Sequence, residues 1–346
     1  MAYSDIDKPS DYFNTSLWTG NGATQSITGV GFQPDWVWIK ARTGTYSGSD
    51  HHIYDVIRGA NAKLSSNSTG GSATISDTLT SFDSDGYSLG FRTRVNGTGT
   101  TYAGWNWLAG GTASSNTDGS ITSSVSANTT SGFSIVSYTG TGSAATIGHS
   151  LGVKPSMIIT KRRDSTSNWM VYHSSLGATK YLQLETTDQA NTSSTRWNNT
   201  EPTSSVFTVG TSSGTNPSSG TMIAYCFAEK KGFSKFGSYT GNGSTDGTFV
   251  YTGFKPAFLI TKRTNASGNS WILTDSARDT DNVVQKVLYP DGSNAEASSD
   301  RLDFLSNGFK QRTTSAAANG SGDTYIYMCF ASNPFVTSSG IPVTAR

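Results

Sequence analysis

The sequence predicts an all-β fold: three tandem antiparallel β-sandwich, jelly-roll-like repeat domains of about 100 residues each. Three observations carry this. Four sequence blocks recur three times in the same order, and each copy is a series of short Val-, Ile-, Phe-, Tyr- and Thr-rich runs broken by Gly, Asn, Asp and Ser. No segment sustains a 3.6-residue apolar period with caps, so any helix is short.

The first block is TGNG at 19–22, TGTG at 139–142 and TGNG at 240–243. The second is GFQPDWVWIKAR at 31–42, GVKPSMIITKRR at 152–163 and GFKPAFLITKRT at 253–264. It places Pro34, Pro155 and Pro256 just ahead of the most apolar strand of each copy and Lys40, Lys161 and Lys262 at its end. Proline fixes φ and lacks a donor, so Gly-x-x-Pro reads as a corner that aims the strand. The lysines read as strand-end gatekeepers, their stems over apolar surface and their ammonium groups in water. The third block holds Tyr87, Phe207 and Phe309 after a turn. The fourth is an aromatic closing strand, TYAGWNW at 101–107, TMIAYCF at 221–227 and TYIYMCF at 324–330.

These blocks divide the chain. Residues 1–16 precede the first block and read as an attachment segment, followed by repeat 1 at 17–112. The Ser-, Thr- and Gly-rich run at 113–130 reads as a linker or as an extended strand laid over a neighbour; as a linker it sets the first repeat at a variable angle to a rigid pair, repeat 2 at 131–231 and repeat 3 at 232–335. Residues 336–346 form a tail, and HHIYDVIRGANAKL at 51–64 is the best candidate for a turn or two of helix.

Composition excludes several functions. Lys plus Arg number 25 and Asp plus Glu 24, so there is no electrostatic case for binding duplex nucleic acid. No apolar stretch is long enough to insert in a membrane, and the N-terminus lacks the basic start and apolar core of a signal peptide. Cys226 and Cys329 are the only cysteines and fall at equivalent places in two closing strands, which argues against a disulfide scaffold or a cysteine zinc site. DSDG at 83–86 has too few carboxylates for a calcium loop, His173 with Ser174 lacks a nucleophile elbow, and no carboxylate pair is marked for glycoside hydrolysis. The expectation is a protein that is not an enzyme, with no cofactor and no metal.

Trp197, in the polar run STRWNNTEP, has no counterpart in the other copies. An unrepeated aromatic in a loop either packs locally or is a stacking platform for a sugar ring, with Arg196, Asn198 and Asn199 to bond its hydroxyls. His51 and His52, in the distinctive 45–55 loop, are a second candidate contact for a glycan or partner.

DYFNTSLWTGNG at 11–22, ITGVGFQPDWVWIKAR at 27–42, LTSFDSDGYSLG at 79–90 and GFSKFGSYTGNG at 232–243 resemble repeated domains in virion structural and tail-fibre-like proteins of marine bacteriophages, including those of cyanobacteria. SNTDGSITSSVSANTTSGFSIVSYTG at 115–140 and VYHSSLGATKYL at 171–182 share the likeness, which spans roughly residues 8–335. The resemblance implies a non-enzymatic component of the virion surface: a tail fibre or tail-associated appendage that attaches to the host surface, its partners other virion proteins and a host glycan. A capsid-surface decoration or knob is one alternative, and a carbohydrate-binding protein with no virion role is another. Exposed appendages are symmetric, so a homo-oligomer is expected, a trimer first.

Overall fold

Each opening strand pairs along its length with the closing strand of its own copy: Phe13–Thr19 with Thr101–Trp107, Phe133–Thr139 with Thr221–Phe227, and Ser234–Thr240 with the first part of Thr324–Pro334. The closing strand then pairs on its other edge with the central strand that follows the Gly-x-x-Pro corner, Trp36–Thr43, Met157–Arg162 or Phe254–Arg263. A short side strand completes the set: His52–Asp55, Met170–His173 or Ile272–Asp275. The order opening–closing–central–side thus occurs three times in a computed structural model that describes residues 3–343. The molecule is all-β, and its sheet ladders are antiparallel.

Side chains alternate across a strand, and here both faces are buried. In the central strands, Trp36 and Trp38, Met157 and Ile159, and Phe258 and Ile260 face one common apolar cluster. The residues between them, Val37 and Ile39, Ile158, and Leu259, face three separate clusters local to each copy. Closing strands divide the same way: Trp105 and Trp107, Tyr225 and Phe227, and Met328 and Phe330 point to the common cluster. Burial on two sides is why these strands read as continuous apolar runs instead of alternating ones. The last aromatics of the closing strands meet where the copies converge, with ring centroids 5.6 Å apart for Trp107 and Phe330 and 6.1 Å for Phe227 and Phe330.

That common core corrects the expected arrangement of separate beads with a mobile first unit. Side chains from all three copies share it, so the copies close on one another. Of the two readings of residues 113–130, the extended strand is the one the structure shows. Ser114–Asn116 and Ser123–Asn128 form strands that pair with each other and then with Phe133–Thr139, widening the second sheet to eight strands. The 51–64 run is not helical: it contains His52–Asp55 and a short strand at Ala62–Lys63.

The N-terminal segment is tied down. Ile6 and Phe13 are buried, Asp5 N–H donates to Lys231 O, and the Asp7 carboxylate accepts from the backbone and hydroxyl of Ser338 in the tail. Pro34 and Pro155 stand two residues ahead of their strands, whereas Pro256 lies inside its strand at a bulge, where the ladder loses register and needs no donor.

Candidate functional site

The three seams between copies are built from equivalent residues. A ring nitrogen at the start of each side strand reaches a backbone carbonyl of the preceding copy. Trp169 Nε1 donates to Ser65 O at 2.8 Å, Trp271 Nε1 to Gln183 O at 3.0 Å, and His51 Nε2 bonds Tyr289 O at 2.9 Å. His51 therefore occupies the place of a tryptophan. Trp38 Nε1 donates to its Nδ1, which fixes the tautomer with the proton on Nε2.

The lysines follow the same rotation. Lys40 Nζ donates to Ser293 O at 3.2 Å, Lys161 Nζ to Thr69 O at 2.8 Å, and Lys262 Nζ to Thr187 O at 3.1 Å. All three are buried, and burial pushes each ammonium down to about 8. The reading as water-exposed gatekeepers is corrected: these cations have left solvent and cross-brace the copies through carbonyl dipoles.

The last residue of each side strand completes the seam. Asp55 Oδ2 accepts from Tyr225 OH at 2.7 Å, and Asp275 Oδ2 accepts from Trp105 Nε1 at 2.9 Å. Each carboxylate is also bound by an arginine three residues on, Arg58 or Arg278, and both ion pairs are fully buried. At the remaining seam the facing closing-strand residue is Met328, which offers no donor, and the carboxylate is replaced by His173. His173 Nδ1 accepts Ser175 N–H, so Nε2 carries the proton and donates to Tyr327 O at 3.1 Å. Burial holds this imidazole down to about 4.

A second recurrent device lies away from the seams. Asn96, Asn216 and Asn319 are buried five residues ahead of each closing strand, and their side chains bind the TGNG-type turns. Nδ2 of Asn216 donates to Ser143 O and Gly210 O, while Oδ1 accepts Thr141 N–H. Asn96 and Asn319 make the equivalent bonds. Trp18, Tyr138 and Tyr239 each donate to the carbonyl of the residue before that asparagine. These asparagines and the Asp-x-x-Arg pairs are not apparent from strand patterning; the signal that marks the asparagines is the fixed offset of VNGTGTTY, TNPSSGTM and ANGSGDTY to the closing strands.

Of the two readings of Trp197, local packing is the one the structure shows. Ser193 caps a single helical turn, Ser194–Trp197, which turns the indole inward, 2% exposed and edge-on to Tyr172 at 5.9 Å. No face of Trp197 is open for stacking. Arg196 lies over the Tyr181 ring at 4.9 Å and donates to Ser212 Oγ, so it braces the same turn. Asn198 and Asn199 are exposed in the left-handed region, the conformation that ends this turn. His51 and His52 are buried rather than presented on a loop.

The acidic candidates are engaged as well. Asp85 accepts Gly29 and Gly31 amides, which hold its carboxyl below the usual range, and Asp83 accepts Ser81 and Ser88 hydroxyls. Glu185 accepts Trp169 N–H and Asn168 Nδ2. Among the described residues, no group of three or more His, Cys, Asp or Glu side chains is placed to hold a metal ion, and no helix is long and apolar enough to cross a membrane.

No curated protein and no solved structure matches the chain. A family described as Domain of unknown function (DUF7483) matches residues 8–334, a span that contains all three copies of the repeat. The chain belongs to that family.

Proposed function

We propose that this chain is a non-enzymatic structural component exposed on a bacteriophage virion, a tail fibre or tail-associated appendage that contributes to host attachment. The observation that carries the structural part is the use of recurrent polar side chains. Lys40, Lys161, Lys262, Asp55 and Asp275 all bind neighbouring copies, an arrangement that favours rigidity over chemistry. The virion part rests on the sequence resemblance and on a surface of uncharged polar groups, with only 14% of residues charged. Within this reading each copy is a β-sandwich. Support comes from the first copy, where Val37 and Tyr102 of the four-stranded sheet pack with Ile27, Leu79 and Tyr87 of a three-stranded sheet. One chain already closes three units, so a homotrimer is not required to cover their faces. Light scattering at micromolar concentration separates the two states.

The test is peptide mass spectrometry and immunogold labelling of purified particles. Stoichiometric presence with label on the tail supports the proposal; a chain found only in the lysate supernatant refutes it. The reading as a carbohydrate-binding protein without a virion role has one specific observation in its favour. Tyr3 and Tyr251, each 60% exposed, line one cleft of about 240 Å3 with Glu229 and Lys235, the combination that a neutral sugar uses.

A further inference from the structure

An open cleft of about 490 Å3 lies on the first copy, lined by His52, Thr74, Ile75, Ser76, Arg92 and Arg94. Its volume is in the range of small-molecule sites. Among the described residues Arg92 has one ion-pair contact, Nη2 to Asp77 at 3.0 Å, and Arg94 a longer one, Nη1 to Asp50 at 3.8 Å. Asp50 is shared with Lys63, so three cations stand against two carboxylates around the opening. Each guanidinium has five N–H donors, and one carboxylate contact leaves most of them available.

The wall of the cleft holds an unsatisfied group. His52 is 1% exposed, and its Nε2 has no hydrogen-bond partner among the described residues. Its Nδ1 lies 2.9 Å from Tyr54 OH, a phenol that also meets the Thr78 hydroxyl and the Leu79 amide. When Tyr54 OH donates to Nδ1, the imidazole proton stands on Nε2, a buried donor in the cleft wall. A buried polar atom without a partner is costly, and its retention beside two underused guanidiniums is explained by a ligand group that it bonds. The site belongs to the first copy alone: counted from Asn96, Asn216 and Asn319, Arg92 corresponds to Ser212 and Ser315, and Arg94 to Gly214 and Ala317. These two arginines are therefore not part of the repeat's structural pattern.

We infer that this cleft binds an oxyanion-bearing sugar, its carboxylate or phosphate held by Arg92 and Arg94 with the His52 Nε2 proton, and its hydroxyls by Thr74 and Ser76. The geometry suits that ligand because guanidinium groups bind oxyanions through paired N–H donors, while hydroxyl side chains bond a sugar in either direction. The inference does not depend on the virion assignment.

The full chain is titrated calorimetrically at low salt with glucuronate, glucose 6-phosphate, inorganic phosphate and glucose. Either sugar acid should bind at millimolar concentration or below while glucose does not, and added salt should weaken binding. Arg92→Gln and Arg94→Gln should each cut affinity roughly tenfold or more, with unchanged melting temperature because both side chains are at the surface. In a nitrogen-15 spectrum, the His52 Nε2 resonance should shift with saturation by ligand. Absence of binding by both sugar acids would overturn the inference, as would binding that Arg94→Gln leaves intact. Phosphate binding without either sugar acid would overturn the sugar assignment.

Discussion

Tyr225 donates its phenolic proton to Asp55 across the seam between the first two copies, at 2.7 Å, and Arg58 holds the same carboxylate oxygen at 2.5 Å. A hydrogen bond to a buried charge contributes more than a neutral one, while removing the charge itself strands its partner. Tyr225→Phe should lower unfolding free energy by about 1.5–3 kcal/mol. Asp55→Ala, which leaves Arg58 buried without its counter-ion, should cost about 3–5 kcal/mol. Urea unfolding of both variants checks the order, and equal losses would mean that the phenol, not the ion pair, dominates the seam.

Acid should loosen the seams through histidine. Burial lowers the two seam histidines, His51 and His173, with His173 at about 4 against an ordinary 6.5. The unfolded chain takes up protons first as pH falls, so the stability these neutral imidazoles carry is complete above 6.5 and declines towards 4. Each contributes at most about 1.4 kcal/mol per pH unit. His173→Gln should flatten the profile in that window; a profile unchanged between pH 6.5 and 4 contradicts the assignment.

The asparagine latch predicts equal damage at three distant places. Asn216→Ala leaves Ser143 O and Gly210 O without their donor and Thr141 N–H without its acceptor. The loss should be roughly 2–4 kcal/mol, since each stranded buried group costs about 1–3. Asn96→Ala and Asn319→Ala should fall in the same range by thermal unfolding. A loss confined to one of the three would show that the latch is not a shared device.

Trp197 separates core from platform. Its indole closes the apolar cluster of the second copy. Trp197→Ala should cost about 3–5 kcal/mol through the cavity it leaves. A melting temperature close to wild type would restore the exposed reading.

The sequence made the strand content and the recurrence visible because block spacing is a local property. It left the closure of the copies hidden. Trp36, Trp38 and Lys40 look the same whether their strand is covered by its own unit or by a neighbour, and only the unbroken apolar runs hinted at two buried faces. His51 was the hardest to read, since a histidine stands where two other copies carry tryptophan and the shared role is a ring N–H to a carbonyl. Trp197 left two readings open for the opposite reason: an unrepeated residue in a polar run fills a local core only where something such as one helical turn aims it inward. The arginines of the first copy's cleft required knowing that a buried histidine stands behind them.

The central claim is that three copies unfold as one body because they share one core and three polar seams. Differential scanning calorimetry of the full chain tests this directly. A shared core predicts one transition whose van't Hoff enthalpy approaches the calorimetric enthalpy. Independent units would give separate transitions, or a van't Hoff enthalpy near one third of the calorimetric value, and either result would contradict the closed arrangement.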